Sequence, residues 1–354
     1  MGNLISCSID KKKKETKASD FEIICKIGKG SNSNVFLVKK KNTCQYFAMK
    51  TIKKKSIKSD KKLERILTEL EALTTVRNPF VVQIYYAFVS EKYVCFVMDF
   101  VNGGELFFHL NQKVEFSENR ILLYAAEIIY ALKHIHKAGF IYRDLKPENI
   151  LLDKNGHICL TDFGIAKKIG KFSRTNSFCG SIGYIAPEVL TGQKYSFEVD
   201  FYSLGVLLYE MKHKSFPFEQ NQTNEQKESN NVNDLVFSDS CSDEFQSLVK
   251  SLLENDPEKR LGFGKKGYKD VMNHPFFVNI NWKILSQKKY IPEYVPKIQN
   301  NFDISMIDSS FIKEKVSKCF VDSTSEMDHF LFKNFCFDIE KEKSKKKISK
   351  RKIQ

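Results

Sequence analysis

The sequence predicts an α+β chain of two lobes, strands in the first and helices in the second, and three observations lead there. Strand-like runs at 21–27, 35–38, 46–52 and 94–100 crowd the first hundred residues, with one helical stretch, 63–73, among them. Beyond Gly103 apolar residues recur at helical spacing instead. At 354 residues the chain also exceeds the usual size of one core.

Taken in order, residues 1–20 are polar and lysine-rich, with too few apolar positions for a core, and read as a flexible arm. The strand-rich lobe occupies 21–100 and the helical lobe 101–277. In the latter, Ser117 is placed to cap a helix whose inward stripe is Ile121, Ala125, Ile128, Leu132 and Ile135, and Gly139 stops it. Glu127 interrupts that helix, so no apolar run approaches the ~18 residues needed to span a bilayer. A hairpin is expected from 150–152 and 158–160 around Asn155-Gly156. The Asn-, Gln- and Glu-rich stretch 220–233 reads as an exposed loop. Regular periodicity ends after His274, leaving a tail at 278–340 and a basic, disordered end at 341–354.

The net charge of +14 is concentrated in runs at 11–14, 53–55 and 341–352. Such runs usually solvate tails, and no aromatic residues are interleaved in those at 11–14 and 341–352, which argues against a nucleic-acid partner. Nine cysteines without a CxxC pair point to a reducing compartment and away from structural zinc.

The chemistry-bearing residues handle phosphate. Gly28-Lys29-Gly30, between two strand-like runs, lets backbone N–H groups approach a polyphosphate, although a plain hairpin turn would look the same. Lys50 on the third strand needs a carboxylate to hold it against phosphates, and Glu69 on the 63–73 helix supplies one. The most specific segment is Tyr142-Arg143-Asp144-Leu145-Lys146-Pro147-Glu148-Asn149, followed by Asp162-Phe163-Gly164. Phosphoryl transfer needs a carboxylate to orient a hydroxyl, a cation on the γ-phosphate and oxygen ligands for magnesium; Asp144, Lys146, Asn149 and Asp162 meet those needs.

On these motifs the chain resembles the eukaryotic protein kinases, from about residue 21 to 337. The resemblance implies the two-lobe kinase fold with ATP and Mg2+ in the cleft. Ile27, Val35, Ala48 and Leu151 would sandwich the adenine, Met98, Asp99 and Val101 would belong to the hinge, and Glu105 and Thr161 would border the nucleotide. Ala186-Pro187-Glu188 and Asp200 match later structural motifs, with Arg260 as the buried partner of Glu188. Lys146 in its Asp-Leu-Lys-Pro-Glu-Asn setting resembles the serine/threonine enzymes. The strings Asn102-Gly103-Gly104-Glu105, Phe178-Cys179-Gly180 and His274-Pro275-Phe276-Phe277 resemble the AGC group, closest to its Akt, serum/glucocorticoid-regulated and ribosomal S6 kinase branches.

That group implies further roles. Glu105, Glu148 and Glu210 would hold arginines N-terminal to the target Ser or Thr, so protein substrates with basic residues are the expected partners; alternatively Glu105 only contacts ribose and Glu210 is structural. Ser177 would be phosphorylated by an upstream kinase and tie together Arg65, Arg143 and Lys167, while Ser181 would bond near Asp144 and Lys146. Phe332, Phe335 and Phe337 of the tail would dock beside the Glu69 helix. The chain departs from the pattern at Ser33, where a third glycine is usual, at Ile182 and Gly183, which replace proline and glutamate, at Phe201-Tyr202, and at Cys336, which cannot carry the usual phosphate. Ser323 is the candidate turn-motif site.

The N-terminus fits a myristoylation signal at Gly2 with Ser6, and Cys7 and the 11–14 lysines offer second anchoring signals. The expectation is a monomer at the cytoplasmic face of a membrane, with a cytosolic pool. The competing function is a catalytically silent, membrane-tethered scaffold, whose mark would be loss of Lys50, Asp144, Asn149 or Asp162; none is lost.

Overall fold

In the computed structural model, which describes residues 16–113, 115–170, 173–218, 231–264, 267–314, 332 and 335–342, the first lobe is a single antiparallel sheet. β1 (Phe21–Lys29), β2 (Ser33–Lys40) and β3 (Tyr46–Lys53) form a meander; β4 (Ile84–Val89), β5 (Tyr93–Asp99) and a late strand, β10 (Phe337–Asp338), complete the order β1-β2-β3-β5-β4-β10. Bulges at Ile23/Cys25 and Lys26/Gly28 in β1 increase the local twist. The sheet curls so far that Phe21 of β1 stacks on Phe88 of β4 (5.8 Å), although β2, β3 and β5 lie between them in sheet order. Ala18, Phe21, Phe47, Tyr86 and Phe88 close that outer face.

The other face is covered by α1 (Asp60–Thr75), whose buried residues, Ile66, Glu69, Leu70, Ala72 and Leu73, follow helical spacing. A carboxylate in that stripe demands a partner, which positions the site described below.

The second lobe is built on α3 (Glu118–Lys137) and α5 (Glu198–His213), after a short α2 (Leu106–Leu110). Ser117 caps α3 by accepting from the Arg120 N–H (3.1 Å), and Gly139, at φ +86°, ends it. Glu127, the charge that interrupts the apolar stripe, is buried and bonded to His157 Nδ1 (2.5 Å) and the Ile158 N–H (2.9 Å), tying α3 to the hairpin. β6 (Phe140–Ile141) pairs with β9 (Lys167–Lys168), and the expected hairpin forms as β7 (Ile150–Leu152) and β8 (Ile158–Leu160), with Gly156 at φ +87°. α4 (Pro187–Leu190) is held by a fully buried fork: Arg260 donates to both oxygens of Glu188 (2.6 and 2.9 Å). α6 (Asp243–Leu252) and α7 (Gly267–Met272) complete the lobe.

Past His274, where no periodicity is legible, the chain still forms α8 (Trp282–Leu285) and α9 (Ser309–Ile312). Both are single turns capped by Asn281 and Asp308 side chains, too short to produce a pattern. Of 220–233, only 231–233 is described, and Val232–Asp234 is a 3-10 turn. Among the described residues no helix is long and apolar enough to cross a membrane.

Candidate active site

Strand register assembles the first half of the site. Gly28 pairs with Val35, Val35 with Lys50 and Lys50 with Phe96, so the glycine turn and the lysine share one transverse row. Gly30 donates its N–H to the Ser33 carbonyl (2.9 Å), and a Cβ there would lie 2.6 Å from Ser33 Oγ. Ser33 therefore closes the turn, and a side chain at position 30 would require its hydroxyl to move. Ile27, Val35, Ala48, Met98, Val101 and Leu151 are all half-buried, the partial exposure that suits residues lining an apolar slot between the lobes.

Within that slot Lys50 Nζ lies 2.6 Å from Glu69 Oε1 and 2.8 Å from Asp162 Oδ1. Burial works against the Lys50 charge, but Glu69 and Asp162 more than offset it and hold the ammonium above the ordinary lysine value. Lys50 is the chief reason that Asp162 sits below the ordinary aspartate value. Burial raises Glu69 above the ordinary glutamate value, and Lys50 draws it back only in part. Asp162 adopts φ +49°, and among the described residues only its Oδ1 is engaged, by Lys50 and the Gly164 N–H (3.0 Å).

The second half is a loop splinted by one buried carboxylate. Asp200, fully buried in the first turn of α5, accepts from His136 Nε2 (2.7 Å), the Tyr142 N–H (2.9 Å) and the Arg143 N–H (2.7 Å). These bonds hold Arg143 at φ +69°, a conformation that non-glycine residues rarely adopt, and so aim the next residue, Asp144. Asn149 Nδ2 donates to the Asp144 carbonyl (2.9 Å) and to Asp144 Oδ2 (2.7 Å). Ser181 donates to Asp144 Oδ1 (2.8 Å) and accepts from Lys146 Nζ (2.7 Å). A carboxylate, a cation and a carboxamide thus face the cleft beside Asp162.

A family model described as "Protein kinase domain" matches residues 21–277. The chain belongs to the protein kinase family. "Protein kinase 2" of Dictyostelium discoideum is 43% identical over 315 residues, covering 89% of this chain and 65% of that protein. The "RAC family serine/threonine-protein kinase homolog" of the same organism is 42% identical, covering 87% and 69%. Human "RAC-beta serine/threonine-protein kinase" is 39% identical, covering 88% and 65%. The chain spans about two thirds of the length of these curated relatives, and within the protein kinases it belongs to the AGC group.

Two residues expected at the nucleotide have side chains that bond within the protein. The Asp99 carboxylate accepts from the Gln83 N–H (3.0 Å) and the Tyr85 hydroxyl (2.8 Å), so its side chain braces the hinge. The Thr161 hydroxyl donates to the Asn149 carbonyl (3.2 Å) and steadies the loop.

Glu105, Glu148 and Glu210 form one acidic surface. Partial burial, then the like charges of Glu148 and Asp308, raise the Glu105 carboxyl above the ordinary glutamate value. Burial and Glu148 raise Glu210 against the opposing hydroxyl of Tyr184, which donates to it.

Around Ser177, Arg143 Nη1 donates to Ser177 Oγ (2.7 Å), and Lys167 Nζ donates to Thr175 Oγ1 (2.6 Å), itself 3.2 Å from Ser177 Oγ. Two cations already converge there. Arg65 stands exposed on α1 and makes no hydrogen bond to this cluster.

The tail returns to the first lobe. Phe332 and Phe335 are buried, Phe335 packs edge-on against Phe96 (5.2 Å), and Phe337 pairs with Ala87 as β10 extends the sheet. The phenylalanines are therefore anchored on β4 and β5. Earlier in the tail, Phe302 stacks on Tyr46 (4.8 Å) and Glu314 pairs with the buried Lys26 of β1 (2.5 Å). Sequence reasoning missed Lys26, the Tyr184 bond and the splinting role of Asp200; an aspartate opening an otherwise apolar helix was the available signal for the last. Gly2, Ser6, Cys7, Ser323 and the basic run after 342 lie outside the described residues.

Proposed function

We propose that the chain is an ATP-dependent serine/threonine protein kinase that prefers arginine N-terminal to its target residue. The observation that carries this reading is the convergence of Lys50, Glu69 and Asp162 opposite Asp144, Lys146 and Asn149 across one cleft.

The residues present suit Mg2+ and a triphosphate. Among the described residues, Asp162 Oδ2 has no hydrogen-bond partner, and Asn149, with its amide nitrogen committed to Asp144, likewise has none at Oδ1. Magnesium typically takes one or two protein oxygens and fills the rest of its shell with phosphate and water, which agrees with the lack of any larger ligand cluster among the described residues. Bound ATP with magnesium supplies the γ-phosphoryl group and neutralises its charge as it leaves. Lys50 would bind the phosphates, Asp144 would orient the attacking hydroxyl and take its proton, and Lys146, tethered through Ser181, would stabilise charge on the transferred group.

The acidic surface of Glu105, Glu148 and Glu210 supports arginine selectivity through charge-assisted pairing. The Arg143 and Lys167 cluster supports control by phosphorylation at Ser177 by an upstream kinase. The Gly2, Ser6 and Cys7 pattern and the adjoining lysines support action at the cytoplasmic face of an anionic membrane.

Transfer of labelled phosphate from ATP to an arginine-containing peptide, against an Asp144→Asn control, tests the activity. Equal incorporation by both proteins would remove the enzyme reading and leave the scaffold.

A further inference from the structure

One side chain of the tail is wired into the support of the hinge. Lys288 follows α8 at φ +53°, a conformation rare for residues other than glycine, and its N–H bonds to the Leu285 carbonyl (2.9 Å). From there Lys288 Nζ reaches Asp153 Oδ2 (2.8 Å) and stands 5.4 Å from the centre of the Phe80 ring. Each contact leads to one wall of the apolar slot. Asp153 follows β7, and its other oxygen accepts from the N–H groups of Asn155 (2.9 Å) and His157 (3.1 Å), so the same carboxylate shapes the hairpin that carries Leu151. Phe80 is fully buried and begins a splint between the lobes. Its carbonyl accepts from the Leu160 N–H of β8 (2.8 Å), and Val82 donates to the Leu160 carbonyl (3.0 Å). Gln83 then accepts the Asp99 N–H (3.0 Å) and donates its own N–H to the Asp99 carboxylate (3.0 Å). Burial raises the carboxyls of Asp99 and Glu127 above their ordinary values, and in both the charge of Lys288 pulls the other way.

We infer that Lys288 is a positioning residue for the nucleotide: by clamping Asp153 and Phe80 it holds the β7–β8 hairpin and the 80–83 splint against the hinge, and so sets the width of the slot between Leu151 and the hinge residues Met98 and Val101. The inference rests on the ATP reading above and adds to it a tail residue that acts through others. A lysine suits the place because its apolar stem lies along an aromatic ring while its head meets a carboxylate. Removing the ammonium leaves Asp153, Asp99 and Glu127 without that counter-charge behind the hinge, and the elements that carry them lose their common clamp. A loosened slot weakens the grip on the adenine equally in the ground state and the transition state, because the ring takes no part in the transfer. Such a loss raises KM and leaves kcat alone.

The test is steady-state kinetics of the full chain on an arginine-containing peptide with ATP varied. Lys288→Gln is expected to raise KM for ATP about fivefold, with kcat and the peptide KM within about twofold of native. Lys288→Arg, which keeps the charge and the stacking, should stay within about twofold on all three. Tyr85→Phe removes the second donor to Asp99 and should raise KM for ATP as well. In the double variant the rise should fall short of the product of the single rises by at least about threefold, since both substitutions loosen one brace. Urea midpoints accompany the kinetics: a merely structural lysine would lower the midpoint and the active fraction, hence the apparent kcat, without moving KM for ATP. An unchanged KM in Lys288→Gln, or a fall in kcat alone, overturns the positioning role. Rises that multiply would confine Lys288 to the hairpin and overturn its link to the hinge. If the native chain neither binds labelled ATP nor phosphorylates the peptide, the kinase reading itself fails and this inference goes with it.

Discussion

Asn149 commits its amide nitrogen wholly to Asp144, reaching the backbone carbonyl at 2.9 Å and the carboxylate at 2.7 Å. The residue proposed to hold magnesium is thus also the residue that aims the proposed base. Asn149→Ala is expected to lower kcat by about 10²-fold, the cost of a misplacement near 1 Å, and to raise the magnesium concentration needed for half-maximal rate. Steady-state kinetics across a magnesium titration separates the two effects; a change in magnesium dependence alone would sink the aiming role.

Lys50 and Glu69 are both buried, so removing one leaves the other charge stranded. Lys50→Met is expected to destabilise the chain by about 3–5 kcal/mol, read from urea denaturation midpoints. The double change Lys50→Met with Glu69→Met should recover much of that loss without restoring phosphotransfer. Failure of the second substitution to recover stability would mean that packing, and not the pair, sets the cost.

The acidic surface carries a pH signature. Glu105 and Glu210 titrate above the ordinary glutamate value, so acidification neutralises them early and should raise KM for an arginine-containing peptide while leaving a peptide without arginine unaffected. A carboxyl with a raised folded pKa is relieved by protonation, so these two groups do not lower stability in that window. Asp162, with a lowered pKa, stabilises above the ordinary aspartate value and loses that contribution only as pH falls through its own lower value. Selectivity should therefore fade at higher pH than the denaturation midpoint falls, which parallel peptide kinetics and melting curves would show.

Ser177 lies 2.7 Å from a guanidinium nitrogen of Arg143, and Lys167 is one hydroxyl away. Phosphorylation there should raise kcat/KM at least about tenfold, because a phosphate can add up to three charge-assisted bonds. Ser177→Ala should not respond to the activating kinase, and Lys167→Ala should respond more weakly. Equal activation of all three proteins would remove Ser177 as the switch.

What could be read from the sequence came from short local patterns and, for Arg260 with Glu188, 72 positions apart, from the family resemblance. The Lys50 and Glu69 pairing, the Ser117 cap, the Asn155-Gly156 turn and the Arg260 partnership with Glu188 all stand as expected. β4 was not legible, because Ile84, Tyr86, Ala87 and Phe88 are buried on both faces and so do not alternate. Asp99 and Thr161 were assigned by position in a motif, and only the fold shows where their side chains are spent. The return of Phe335 to Phe96 joins residues more than two hundred positions apart, a distance no local pattern encodes.

Asp200 sits at the root of α5, a helix buried around nearly its whole circumference, and the reactive loop hangs from its two oxygens. Tolerances at Asp144 are consequently inherited from the hydrophobic interior beneath it. A cavity opened at Leu204 or Leu207, far from any substrate, would blunt turnover before it unfolded the molecule, because the same rod that fills the core is the bracket on which the reacting carboxylate is mounted.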